Sequence, residues 1–149
     1  MDELRELYQE VILDHNKNPK NFRELEKATH SSEGYNPLCG DRVHVFLKVE
    51  EGRIADVGFT GSGCAISKAS ASVMTTEIKG KTVEESRELF KRFQKVITGA
   101  DPTADTSKLG KLAVFAGVRE FPVRVKCAAL AWHTLLAALE KKNDPISTE

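Results

Sequence analysis

Three thiols and one carboxylate carry the chemical potential of this chain: Cys39, Asp41, Cys64 and Cys127. Cys39 and Asp41 sit two residues apart in Gly34-Tyr35-Asn36-Pro37-Leu38-Cys39-Gly40-Asp41, a tight Gly/Pro loop. Cys64 follows Gly61-Ser62-Gly63, where a helix begins. Cys127 lies in an apolar run after Arg124 and Lys126. Soft thiolates plus one harder carboxylate oxygen make a tetrahedral donor set suited to zinc. Three thiolates and a carboxylate carry a formal charge of about −4 against +2 on such an ion. Arg124 or Lys126 can supply the compensating charge. The aspartate is the ligand most easily displaced, which would open a position on the metal.

The same atoms can make a thiol reactive. A metal, a cation or a helix N-terminus lowers a thiol pKa, and Cys64 has the helix N-terminus. Cys39, flanked by Pro37 and Gly40, is the most reachable of the three. A reachable thiolate can attack a persulfide on another protein and take its outer sulfur.

Plainer readings stand beside these. Cys127 in its apolar helix can equally be a small hydrophobe. The Cys39 loop can equally be an ordinary turn with Asp at a favoured position. Gly61-Ser62-Gly63 lacks the Lys-Ser/Thr of a phosphate-binding loop. A Cys–His hydrolase needs a base beside the thiol. His133 is six residues past Cys127, on a different helix face. His15, His30 and His44 have no partner evident in the sequence and read as surface or core residues.

The elements that must position these groups follow from composition and periodicity. A chain of 149 residues fits one domain able to bury a core without disulfides. We assign that domain to residues 1–142, with 143–149 as a flexible tail. Lys plus Arg and Asp plus Glu both total 22, so the formal charge is zero. That argues against nucleic acid or a membrane surface as a partner. No stretch approaches the ~20 apolar residues of a membrane span. The acidic start, Met1-Asp2-Glu3, fits neither a secretory signal nor a transit peptide, so a cytoplasmic protein is expected. Thiols stay reduced there and read as ligands or catalytic groups.

Leu4, Leu7, Tyr8, Val11 and Ile12 recur at helical spacing over residues 2–15, and Asn18-Pro19 ends the pattern. Residues 20–28 read as a connector. A strand is expected between Thr29 and Tyr35. In residues 42–50, Val43, Val45, Leu47 and Val49 alternate with polar neighbours, as in a half-buried strand. Glu51-Gly52 is a turn, and 53–60 return with Ala55, Val57 and Phe59 alternating. Helices follow at 64–78, from a Thr82/Glu85 capping box through Ile97, at 108–118, and from Pro122 to about Lys142. The pattern predicts an α+β fold: a small antiparallel three-stranded sheet packed on one face by helices. Cys39 precedes one hairpin strand and Cys64 follows the other. Antiparallel pairing brings both, with Asp41, to one sheet edge. The position of Cys127 does not follow from this geometry.

These motifs resemble the iron–sulfur assembly family called IscU, SufU or the NifU N-terminal domain, over nearly the whole chain. They are Ile12-Leu13-Asp14-His15 with Asn18-Pro19, then Asn36 to Asp41, then Gly61 to Ser67, and Val125 to Trp132. Three cysteine motifs in this order are specific. Lys126 stands where the IscU branch has a His, and the 99–118 stretch resembles the SufU insertion. Phe121-Pro122-Val123-Arg124 departs from the Leu-Pro-Pro-Val-Lys segment read by a dedicated Hsp70, so the resemblance does not extend to that chaperone system.

The resemblance implies zinc held by Cys39, Asp41, Cys64 and Cys127, with a pyridoxal-phosphate cysteine desulfurase as partner and downstream Fe–S assembly proteins beyond it. It implies that Cys39 is freed when the desulfurase lends a ligand to the zinc, and then accepts persulfide sulfur. Three functions remain open at this point. They are a zinc-dependent sulfur acceptor, sulfurtransferase-like in its chemistry, a scaffold for a transient [2Fe–2S] cluster on the same ligands, and a structural zinc module.

Overall fold

A computed structural model describes residues 2–99, 109–140 and 146–147. Helix α1 spans Asp2–Lys17, and strands β1, β2 and β3 span His30–Asn36, Asp41–Glu50 and Arg53–Ser62. Helices α2 and α3 cover Ala65–Ile78 and Val83–Thr98. A 3-10 segment runs Gly110–Glu120, helix α4 runs Pro122–Leu139, and a short strand β4 is Ile146–Ser147.

The sheet order is β3-β2-β1-β4, with β1, β2 and β3 antiparallel as expected. The addition is β4, which pairs in parallel with Gly34 and Tyr35. It falls within the stretch assigned to a flexible tail. The turn between β2 and β3 takes positive φ at both Glu51 (52°) and Gly52 (77°), the geometry that matches the twist of a two-residue hairpin.

Alternation along the hairpin breaks at one point. Lys48 pairs with Asp56 but Val49 pairs with Ile54, so Ala55 is an extra residue in β3. The bulge turns Ile54 into the core and leaves Ala55 exposed, correcting the simple alternation of Ala55 with Val57 and Phe59. The connector lies along β3, where the Phe59 N–H donates to the Asn21 carbonyl at 3.0 Å.

Helices cover one sheet face. The inward side chains Val43, Val45, Leu47, Val57 and Phe59 meet Ala69 and Val73 of α2 and Leu130, Trp132 and Leu135 of α4 in one buried cluster. Helix α4 crosses β1 and β2. It approaches closely because position 34 is glycine; a Cβ there would collide with the Thr134 hydroxyl. As its near-continuous apolar sequence requires, α4 is buried from Cys127 through Trp132. Its first residue is Pro122, whose missing N–H costs nothing there. The Thr82/Glu85 capping box opens α3, with both reciprocal bonds at 3.0 Å. The 108–118 helix forms as the 3-10 segment, and Leu109, Leu112, Val114 and Phe115 seal the core beside α3. Residues 100–108 of the resembling insertion lie outside the described residues.

Candidate metal centre

Residues 37–40 form the turn between β1 and β2, and one side chain shapes it. Asn36 accepts the Leu38 N–H on its Oδ1 at 3.2 Å, and its backbone carbonyl takes the Cys39 N–H at 3.3 Å. This is the local bonding that makes Asn a turn former. Gly40 follows at φ 69°, a conformation open to glycine at little cost. Cys39 is thereby left exposed at the tip.

Asp41, the first residue of β2, is fully buried. Its Oδ1 accepts the Cys64 backbone N–H at 2.7 Å, and its Oδ2 lies 3.8 Å from Cys64 Sγ. Gly63 permits this contact. It sits at φ 141°, and any Cβ would strike the Asp41 carboxylate. Cys64 is the N-cap of α2, its sulfur accepting the Ser67 N–H at 3.4 Å.

Cys127 closes the group from the second turn of α4. It is buried, and its sulfur lies 3.4 Å from Cys39 Sγ. The ligand atoms of Cys39, Asp41 and Cys127 all lie within 4.8 Å of one another. Cys64 adjoins this group through Asp41, its sulfur 3.8 Å from Oδ2. Cys39, Asp41 and Cys127 thus form a close group at one end of the sheet, and Cys64 lies at its margin beside Asp41.

The thiols are electrostatically unequal. The hydrogen bond from Cys127 holds Cys64 down at about 7, aided by the Ser67 N–H, while burial and Asp41 oppose the shift. That same bond, then burial, pushes the Cys127 thiol far above the ordinary range. The buried Asp41 carboxylate, beside thiols and with a backbone N–H as its strong donor, has no ion-pair partner among the described residues. This donor set fits zinc, which requires those thiols deprotonated.

The two expected compensating cations sit differently. Arg124 is exposed and stacks over the Phe121 ring, 4.5 Å from its centroid, while Lys126 is half-buried next to Cys127. Neither makes an ion pair with Asp41 among the described residues. The histidines stay away from the thiols. His15 is buried against the Ser72 hydroxyl at 2.6 Å, His44 stacks on Phe46, and His133 meets Phe90 edge-on. Sequence reasoning passed over Asn36, whose Nδ2 donates toward Cys127 Sγ at 3.6 Å. The Asn-Pro step signals a turn and carries no sign of a second contact to a residue 91 positions away.

Among the described residues, no helix is long and apolar enough to cross a membrane. The family model of the NifU-like N-terminal domain matches residues 7–128. The chain is 43% identical over 140 residues to the iron–sulfur cluster assembly scaffold protein IscU of Thermotoga maritima, covering 93% of this chain and 96% of that protein. It is 40% identical over 137 residues to the zinc-dependent sulfurtransferase SufU of Bacillus subtilis, covering 92% of each. A solved structure described as a candidate iron–sulfur cluster assembly scaffold for the SUF system of Fervidobacterium islandicum superposes with a TM-score of 0.83. It shares 39% identity and covers 91% of this chain and 98% of that one. With the sheet, the helical cover and the converging thiols all in place, the chain belongs to the family of NifU-like N-terminal domains.

Proposed function

We propose that this protein serves iron–sulfur cluster assembly as a zinc-dependent acceptor and carrier of persulfide sulfur, in the manner of SufU. The observation that carries the reading is the exposed Cys39 thiol beside a buried carboxylate and a second thiol 3.4 Å away. Cys39, Asp41, Cys64 and Cys127 would hold zinc. Bound there, the ion supplies positive charge that keeps the sulfurs as thiolates.

The donor would be the active-site persulfide of a pyridoxal-phosphate cysteine desulfurase. Cys39 thiolate attacks the outer sulfur of that persulfide. A new S–S bond forms on Cys39, the donor's S–S bond breaks, and the desulfurase cysteine leaves as a thiolate. One sulfur moves and no external electrons enter. Asp41 and Gly63 fix the base of the site, while the Asn36 turn presents Cys39 to the incoming protein. Downstream Fe–S assembly proteins would receive the sulfur. The protein would act in the cytoplasm.

Incubation with desulfurase and cysteine, followed by intact mass measurement, tests the reading. Wild type should gain the mass of one sulfur, and Cys39→Ala should gain none. No gain on wild type, or an equal gain on Cys39→Ala, sinks it. A scaffold reading, with a transient [2Fe–2S] cluster on the same ligands, draws on the likeness to Thermotoga maritima IscU. It predicts thiolate-to-iron charge-transfer bands after anaerobic loading with iron and sulfide, and transfer to an apo-protein. Zinc that iron cannot displace under those conditions argues against it.

A further inference from the structure

Asn36 is fully buried, and both ends of its side-chain amide are engaged. Oδ1 caps the turn that carries Cys39 by accepting the Leu38 N–H at 3.2 Å. Nδ2 donates toward Cys127 Sγ at 3.6 Å. One rigid planar group therefore spans from the Cys39 loop to the α4 thiol. The third thiol is held separately, as Cys64 is fixed by its helix-capping bond and by Asp41.

We infer that Asn36 is a positioning residue that holds the Cys127 sulfur against the Cys39 sulfur, making these two a matched pair distinct from Cys64. The inference deepens the proposed function, since it assigns the device that orients two members of the same site. An N–H donor is required because the neighbour is a sulfur, an electron-rich acceptor. A carboxylate of equal size would keep the turn-capping oxygen and set a second oxygen against Cys127.

Controlled oxidation of metal-stripped, fully reduced protein reads the pairing without any sulfur-transfer assay. Diamide, a diazene, takes two hydrogens and two electrons from two thiols. One S–S bond forms, and the diazene becomes the hydrazine. After one equivalent, free thiols are alkylated and the bridge is mapped by peptide mass spectrometry. In wild type, Cys39–Cys127 should be the dominant bridge. In Asn36→Asp its ratio to Cys64-containing bridges should fall roughly three- to tenfold, the range expected when one hydrogen bond is lost. Circular dichroism of the reduced variant should stay that of wild type. An unchanged bridge ratio in the folded variant, or no preference for Cys39–Cys127 in wild type, overturns the inference.

If Asn36→Asp does not fold, wild type decides through the side-chain amide protons of Asn36 in NMR. Their signals should move on Cys127→Ala and stay in place on Cys64→Ala. Signals indifferent to Cys127 overturn the inference. Bridge selectivity with no sulfur acceptance would leave Asn36's role standing and remove the proposed function. Sulfur acceptance with random bridging would do the reverse.

Discussion

Asp41 and Cys64 are joined through the backbone: the carboxylate Oδ1 takes the Cys64 N–H at 2.7 Å, just where α2 begins. The carboxylate stands near the positive end of that helix, where a negative charge is favoured. A candidate ligand is thus also part of the local structure. Asp41→Ala should weaken zinc retention by at least about tenfold, consistent with the loss of a charged ligand and its neighbouring contacts. It should also destabilise the metal-free fold by about 1–3 kcal/mol by orphaning that N–H. Competition with a chromogenic chelator and thermal unfolding of the stripped protein check the two effects separately.

Zinc removal itself should leave the protein folded. The core is built from Leu47, Phe59, Phe93, Phe115, Leu130 and Trp132, all buried within one apolar cluster remote in kind from the thiols. A chelator should lower the melting temperature through loss of a bound ligand and preserve the circular dichroism spectrum. Collapse to an unfolded spectrum on chelation would instead mark a purely structural zinc module.

Gly63→Ala should be among the most damaging single-methyl changes in the chain. It forces a side chain to φ 141° and drives its Cβ into Asp41. Strain of this kind costs on the order of 1–3 kcal/mol. Zinc affinity should fall with stability, because the displaced group is a candidate ligand. Gly80→Ala also meets an unfavourable φ, 88°, but has open space around it. It should lose stability without losing zinc affinity, which a paired denaturation and zinc titration would show.

His15 gives the fold a pH dependence away from the thiols. Lys20 N–H donates to Ser72 Oγ at 2.7 Å, and the same hydroxyl lies 2.6 Å from His15 Nδ1. Burial lowers the His15 pKa below 6.5; Lys111 and Lys20 also lower it, and Asp14 acts against them. The unfolded chain therefore binds a proton first as pH falls. The stabilisation is present above about pH 6.5 and is lost below it, toward the lower folded value. Chemical denaturation between about pH 7 and pH 5 should show stability falling with a slope of at most about 1.4 kcal/mol per unit from this group. His15→Gln should flatten that slope; His133, also lowered by burial, leaves a remainder.

Much of this was legible from residues alone. Alternation in Val43, Val45 and Leu47, the Thr82/Glu85 box and Pro122 each act locally, and each element formed where its signal lay. Hairpin pairing brought Cys39, Asp41 and Cys64 to one edge because strand register is a local consequence of a two-residue turn. Cys127 did not yield to such reasoning. Its place depends on how far α4 slides over β1, and that is set by Gly34 meeting Thr134 across a hundred residues. The bulge at Ala55 was hidden for a similar reason. It depends on which partner Val49 chooses, a property of two strands together. Arg124 shows the limit for charges, since nearness in sequence to Cys127 did not prevent it from lying over Phe121.

The flanks of the sheet have a consequence for how this protein meets others. Asn21 occupies the Phe59 amide on one side, and Ile146–Ser147 lies along Gly34 and Tyr35 on the other. Main-chain hooks that would let a foreign strand zip on are already taken at these points, which guards against polymerisation. Recognition is then left to side chains around the sulfur-bearing tip, where Leu38, Phe121 and Val123 stand open to solvent. On the proposed function, a sulfur donor would dock there and leave without becoming part of the sheet.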